Sequence, residues 1–237
     1  MSEDRDPTDV QSPDVSSESR LDGGADERER RAETNIDETD VDETGIDDRP
    51  PDVPRWEDEY LAAVARRLWS HYDLEREYRV AGESFDLYGN LRIETERHAF
   101  HPTVRFARHH SNEHLFVRRE PRPRVETLES LESLGETIAD EWIDADEHHF
   151  STDFTFVVVA TEISDAVGDF VERYRNRTLI KFGYYGHYEI NLIVVAPDRE
   201  QLVSSDGAGV AKAFRTWQPI ERNELGRVGR FLDWITR

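Results

Sequence analysis

The sequence predicts a single α+β domain, with a mostly antiparallel sheet and packed helices, preceded by a disordered acidic tail. Three observations predict this architecture. All 24 Phe, Trp and Tyr residues lie after residue 54. Apolar residues in that part of the chain recur both at helical spacing and in strict alternation. Segments of the two kinds follow one another in a mixed order, which is typical of an α+β domain of ordinary size.

The tail comprises residues 1–54. It holds 19 acidic and six basic residues, a net charge of -13, which leaves -9 of the total of -22 for residues 55–237. A segment so acidic, and without aromatic residues, cannot bury enough apolar surface to offset the entropy lost on ordering. We therefore expect residues 1–54 to be disordered and residues 55–237 to form the domain.

Helices are predicted where apolar residues recur at steps of three and four. Such segments cover residues 55–72, 128–142, about 164–175, 210–217 and about 220–237. Ser164 or Asp165 is suited to be the N-cap of the third helix. The helix at about 220–237 is expected to be peripheral.

Strands are predicted first over an antiparallel meander from about residue 83 to 119. Alternating apolar residues indicate its strands, Gly89-Asn90 is the expected turn, and Val104 and Phe106 indicate a further strand. Leu202 and Val203, much later in the chain, are assigned to a short helical or irregular piece.

Three more strands are predicted after the second helix, over Phe154–Ala160, Leu179–Phe182 and Tyr188–Ala196. The first is a nearly continuous apolar run, which indicates burial on both faces. The other two flank glycines that permit a sharp reversal, so we expect a hairpin. Tyr188–Ala196 also contains a stretch that is apolar on both faces, so we expect it to be the central neighbour of Phe154–Ala160. A right-handed connection through the third helix would make Leu179–Phe182 parallel to Phe154–Ala160, and the following strand antiparallel.

Composition excludes several functions. The chain has no Cys, so disulfides, thiolate nucleophiles and cysteine-bound metals are excluded. No apolar run approaches the roughly 18 residues of a membrane span, and the opening residues lack the features of a signal peptide. We therefore expect a cytoplasmic protein without a membrane partner. The acidic surface also opposes nucleic-acid binding.

The basic residues are 28 Arg and only two Lys, Lys181 and Lys212. An excess of acid with few lysines indicates a halophilic protein, since molar salt screens the repulsion between surface carboxylates. Five segments, PRWEDEYL, FDLYGNL, SNEHLFV, ADEHHFSTDFTFVVVA and KFGYYGHYEINLIVVAP, resemble an uncharacterised family found mainly in haloarchaea, with more distant bacterial relatives. The resemblance spans about Arg55 to Trp217. It implies a halophilic source and implies no mechanism.

One candidate site is the polar segment Asp144–Asp153, which joins a predicted helix to a buried strand. His148, His149 and Asp153 are possible ligands of a divalent metal, and His149 with Asp153 could form a base and its orienting group. The alternative is that these residues belong to an ordinary acidic surface loop.

The second candidate site is the predicted hairpin. His187 and Glu189 would lie on the polar face of the last strand, with Lys181 across from them. Such a group could perform acid–base chemistry or bind an anion. The same residues would equally form a cross-strand ion pair.

Five histidines between residues 98 and 114 are a weaker candidate: His98, His101, His109, His110 and His114. Their spacing matches no known metal-ligand pattern, and adjacent residues of a strand face opposite sides. The order of helices and strands is also similar to that of metal-dependent nucleases. The Glu-x-Lys strand of that class is missing at Glu94-x-Glu96 and at Glu189-x-Asn191.

These observations favour a module that binds a protein or a small ligand. The alternative is a metal-dependent hydrolase. It would use His148, His149 and Asp153, and Lys181, His187 and Glu189 are further candidates for its site. The cofactor, if there is one, would be a divalent metal.

Overall fold

The computed structural model describes residues 49–96 and 108–219. Several sequence-based predictions lie outside these residues: the tail before residue 49, the strand at Val104 and Phe106, His98 and His101, and the last helix at about 220–237. The predicted mixture of helices and a mostly antiparallel sheet is confirmed. Among the described residues, no helix is both long enough and apolar enough to cross a membrane.

Three α-helices and seven strands form the described part of the fold. The helices are α1 (Glu59–Leu68), α2 (Val125–Trp142) and α3 (Asp165–Arg173). The strands are β1 (Asp73–Val80), β2 (Glu83–Glu96), β3 (Arg108–Arg119), β4 (His149–Val159), β5 (Asn176–Leu179), β6 (His187–Ala196) and β7 (Gln201–Ser204). The strands form one sheet in the order β1-β2-β3-β4-β6-β5, and β7 pairs with the second half of β6.

The direction of β6 corrects one prediction. β6 runs parallel to β4, and β5 pairs antiparallel with the outer edge of β6. Residues Ile190–Ala196 of β6 are all buried, whereas three of the four residues of β5 are exposed. The more apolar strand therefore takes the central place beside β4, because the centre of a sheet is covered on both faces. The short polar strand remains at the edge.

Helices cover both faces of the sheet. One face packs against α2 and α3 through a cluster that includes Phe116, Phe156 and Leu192. The other face packs against α1 and a 3-10 segment, Gly209–Phe214, through Leu115, Val157, Ile193 and their neighbours. We call the second face the α1 face. Its apolar half ends where the strands become polar, and the candidate site lies there.

Four further predictions of local structure were wrong. Strand β5 ends at Leu179, so that most of the predicted strand Leu179–Phe182 is a 3-10 turn, Ile180–Gly183. The helix predicted at 210–217 is the 3-10 segment Gly209–Phe214.

Gly89-Asn90 is not a turn, because β2 continues through it and Gly89 lies where a Cβ would come within 3.1 Å of the Tyr72 ring. The reversal is at Ala81-Gly82, where both residues have positive φ. Leu202 and Val203 belong to strand β7. This strand pairs with the apolar second half of β6.

The boundaries of the third helix follow its predicted local signals. Its N-cap is Ser164, whose hydroxyl accepts a hydrogen bond from the Val167 N–H. Gly168 lies inside this helix with ordinary backbone dihedrals, and no atom lies within 4 Å of a Cβ added there. The glycine therefore lowers helix stability without serving a close contact.

We expect Gly168→Ala to stabilise the protein by about 0.5–1 kcal/mol, because alanine loses less backbone entropy than glycine in a helix. Urea unfolding of the two proteins at equal salt measures the difference. A variant no more stable than the wild type would show that this part of α3 contributes nothing to the unfolding transition.

Candidate functional site

A row of charged side chains crosses four neighbouring strands on the α1 face. In the strand register, Glu113 of β3 pairs with Asp153 of β4, Asp153 pairs with Glu189 of β6, and Glu189 pairs with Arg177 of β5. Paired residues of adjacent strands point to the same face of a sheet and lie about 5 Å apart. We call Glu113, Asp153 and Glu189 the carboxylate row.

A pocket of about 460 Å³ opens over one end of this row. We call it the polar pocket. Its polar lining residues are Ser151, Asp153, Tyr174, Arg175, Asn176, Arg177, His187, Glu189, Asn191 and Asp206. Its volume lies within the range of roughly 300–1,000 Å³ that small-molecule sites occupy.

Asp153 is the central carboxyl of the row, and its environment opposes its negative charge. Burial raises the pKa of Asp153 well above its usual value, and the neighbouring Glu113 and Glu189 raise it further. Arg177 acts in the opposite direction with a smaller effect. The charged form of Asp153 is therefore costly unless a cation approaches it.

The two flanking carboxyls are shifted in the same direction. Burial raises the pKa of Glu113 to about 6, although a hydrogen bond with Tyr72 opposes the shift. Burial also raises the pKa of Glu189, and Arg177, whose Nη1 lies 3.3 Å from Glu189 Oε1, lowers it. The row as a whole favours the uptake of protons or of another positive group.

His187 lies in the polar pocket as a neutral imidazole. Burial is the main cause that lowers the pKa of His187 to about 4, and the Arg177 charge adds to it. Arg177 Nη2 lies 3.5 Å from Nδ1 of the ring. Since a guanidinium only donates, Nδ1 accepts and the ring proton lies on Nε2, which is 3.5 Å from Glu189 Oε1.

The loop after β7 forms one wall of the polar pocket. Ser205 Oγ donates to Asn191 Oδ1 at 3.3 Å and accepts from the Leu192 N–H at 3.1 Å. A Cβ on Gly207 would overlap Asn191 Oδ1 and lie 3.0 Å from Glu189 Oε2. Only a glycine lets this loop approach the two side chains so closely.

The structure therefore brings three of the predicted site residues together: Asp153, His187 and Glu189 all line the polar pocket. The parallel pairing of β4 with β6 is the cause, because it aligns Ser151 with His187 and Asp153 with Glu189.

His149 is not in this group. The pairing of β3 with β4 skips Phe150, so that His110 pairs with His149 and Ser111 pairs with Ser151. This β-bulge turns His149 away from the face of Asp153. Its Nδ1 donates to the Tyr185 carbonyl at 2.6 Å, and its Nε2 lies 2.9 Å from the Thr152 hydroxyl. His149 thereby attaches the turn between β5 and β6 to the start of β4.

His148 and Lys181 also lie outside the polar pocket. His148 Nε2 lies 3.6 Å from Oε1 of the exposed Glu147. Lys181 belongs to the turn after β5, where its φ is 47°, and its Nζ lies 5.6 Å from the centre of the Tyr185 ring. Among the described residues, no group of three His, Asp or Glu side chains is arranged to hold a metal ion.

Four charged residues of the site were not predicted from the sequence: Glu113, Arg175, Arg177 and Asp206. One sequence pattern could have indicated Glu113. In β3, β4 and β6 alike, an acidic residue lies just before a short apolar run. Glu113 precedes Leu115, Asp153 precedes Phe154, and Glu189 precedes Ile190. Arg177 lies on an edge strand of polar residues and carries no such signal.

A family model described as a domain of unknown function (DUF8052) matches residues 57–216. This range includes α1, all seven strands and every residue of the carboxylate row. No curated protein and no solved structure matches the chain.

Proposed function

The chain belongs to the DUF8052 family, and on that premise we propose that it binds a small organic cation in the polar pocket. The observation that carries the proposal is the position of Asp153, between two other carboxyls and beside a pocket of molecular size. A ligand with a primary amine or guanidinium group would neutralise this row. It would also donate charge-assisted hydrogen bonds to it.

The cations of the pocket suggest how such a ligand is oriented. Arg177 contacts Glu189, and Arg175 Nη2 lies 3.6 Å from Asp206 Oδ2, so both guanidinium groups border the pocket beside the carboxylates. An anionic group at the other end of the ligand would contact Arg175 or Arg177. A zwitterion the size of an amino acid therefore fits the charge distribution of the site.

An organic cation is favoured over a divalent metal by two observations. The pocket is far larger than a single ion requires, and the described His, Asp and Glu side chains do not converge in a metal-ligand group. The alternative from the sequence was a metal-dependent hydrolase. No arrangement of the described residues favours it. The proposal keeps the expectations of a halophilic, cytoplasmic protein.

We expect L-lysine and L-arginine to raise the thermal unfolding midpoint of the full chain, and succinate, which has no cationic group, to leave it unchanged. Calorimetric titration should show that Asp153→Asn weakens the binding of the amino acids by about tenfold or more, because a charge-assisted hydrogen bond is lost. 1,4-Diaminobutane serves as a probe that lacks the anionic end.

Asp198→Asn is the matched control, since Asp198 is exposed and lies outside the polar pocket. This variant should bind the probes as the wild type does. Equal binding by the wild type and Asp153→Asn would contradict the proposal. Stabilisation by magnesium chloride alone, at equal ionic strength and dependent on Asp153, would replace it with the metal alternative.

A further inference from the structure

The turn between β5 and β6 concentrates the exposed apolar side chains of the described residues. The large hydrophobic residues exposed there are Leu179, Phe182 and Tyr184, with 59%, 97% and 85% of their surfaces accessible. We call residues 179–185 the hairpin tip. Scattered exposed apolar residues are ordinary, but a cluster confined to one projecting turn indicates a contact surface.

The backbone of the hairpin tip holds these side chains outward. Lys181 and Phe182 have φ values of 47° and 59°, a left-handed conformation that is unfavourable for residues with a side chain. The Ile180 N–H donates to the Gly186 carbonyl at 3.0 Å, and His149 Nδ1 donates to the Tyr185 carbonyl. The exposed position of Phe182 therefore follows from the backbone conformation of a hydrogen-bonded turn.

The charge around the tip differs from that of the chain as a whole. The chain has a net charge of -22, yet no Asp or Glu lies between Glu172 and Glu189. That segment contains four basic residues, Arg173, Arg175, Arg177 and Lys181. The three arginines pair with carboxylates outside the segment. No ion pair of the described residues includes Lys181, which lies at the tip itself.

Contrary to the expectation of a protein without a membrane partner, we propose that the hairpin tip anchors the protein to the surface of a bilayer that contains anionic lipids. Phe182, Leu179 and Tyr184 would enter the interfacial region, and Lys181 would contact the lipid headgroups. The charge of the tip complements such a surface. The acidic remainder of the protein opposes binding only within a Debye length, which is about 3 Å at the molar salt expected for a halophilic protein, whereas Lys181 would contact the headgroups directly.

A bilayer explains the tip better than a protein partner does. Three side chains cover much less than the roughly 800 Å² per partner of a stable protein interface. Insertion into a bilayer needs no matching pocket, because each apolar side chain adds its own transfer free energy. Carboxylates and guanidinium groups line the polar pocket, and a second pocket beside the start of α2 has a mainly polar surface. Neither pocket is therefore an apolar binding site for the tip of a second copy of the chain.

The test is cosedimentation of the full chain with vesicles, at a salt concentration where the protein is folded. The vesicles are phosphatidylcholine alone, or phosphatidylcholine with about 30 mol % phosphatidylglycerol to supply the anionic surface. We expect binding to the mixed vesicles, and a decrease of about tenfold in the partition coefficient for Phe182→Ser. Lys181→Glu should weaken binding to the mixed vesicles only.

Lys212→Glu, a change at the other lysine of the chain, is the matched control and should bind as the wild type does. Phe182→Ser should unfold at the wild-type temperature, because Phe182 is almost fully exposed. Wild-type protein that binds neither vesicle would overturn the proposal. So would equal binding by Phe182→Ser, or self-association in sedimentation velocity that requires Phe182 in the absence of vesicle binding.

Discussion

Replacing Gly186 with alanine is expected to destabilise the protein by about 3–5 kcal/mol, a large effect for one added methyl group. Gly186 has a φ of 74°, and a Cβ there would overlap the carbonyl oxygen of Phe150. The obstacle is backbone, which cannot rotate away as a side chain can. The turn would have to separate from β4, with loss of the hydrogen bond between His149 and Tyr185.

Gly82→Ala is the control for this change. Gly82 also has a positive φ, 85°, but no atom lies within 4 Å of a Cβ added there. Its replacement should cost only about 1 kcal/mol, the conformational penalty of alanine in the left-handed region. Urea unfolding of both variants separates the two causes. Similar losses of stability would show that Phe150 yields to the added methyl group.

The second large effect concerns pH. We expect Glu113→Gln to be about as stable as the wild type below pH 4.5 and more stable than the wild type by about 2 kcal/mol above pH 6. This difference in the free energy of unfolding corresponds to the rise in the pKa of Glu113 from 4.5 to about 6. Because this pKa is raised on folding, the folded state binds the proton more tightly than the unfolded state does. The stability of the wild type is therefore lost as the pH rises through this window.

Glutamine removes the charge and keeps an acceptor for the Tyr72 hydroxyl. Urea unfolding at several pH values and constant salt measures the difference between variant and wild type. Asp153→Asn should also gain stability over the wild type as the pH rises, because the pKa of Asp153 is raised by burial and by Glu113 and Glu189. Glu129→Gln, at an exposed position of α2, is the control. A difference for Glu113→Gln that does not change with pH would contradict the interpretation.

The helices were predictable from the sequence because their signals are local. The apolar spacing of α2, and Ser164 at the start of α3, act through neighbours within one or two turns of the chain. Strand β1 was missed because its sequence, DLEREYRV, is mostly charged. It is a strand only through its pairing with β2, and such an edge strand tolerates charge on its exposed side.

Half of the candidate site was also predictable. Asp153, His187 and Glu189 are polar residues at the starts of apolar strands, a pattern that the sequence shows directly. Their meeting in one pocket depends on the parallel pairing of β4 and β6. From the sequence, Tyr188–Ala196 was expected beside Phe154–Ala160 but antiparallel to it, which would place Asp153 and Glu189 at opposite ends of the two strands. That arrangement gave no reason to expect Arg177 next to Glu189.

By itself, the sequence determined the fold class, the two buried strands at the centre of the sheet, and the polar starts of those strands. These features follow from the composition and spacing of neighbouring residues. Only the tertiary structure decided the parallel direction of β6 beside β4, the skip at Phe150 that turns His149 away from Asp153, and the row that joins Glu113, Asp153 and Glu189. The physical reason is that strand pairing joins residues distant in the chain, and its register depends on the packing of the whole sheet.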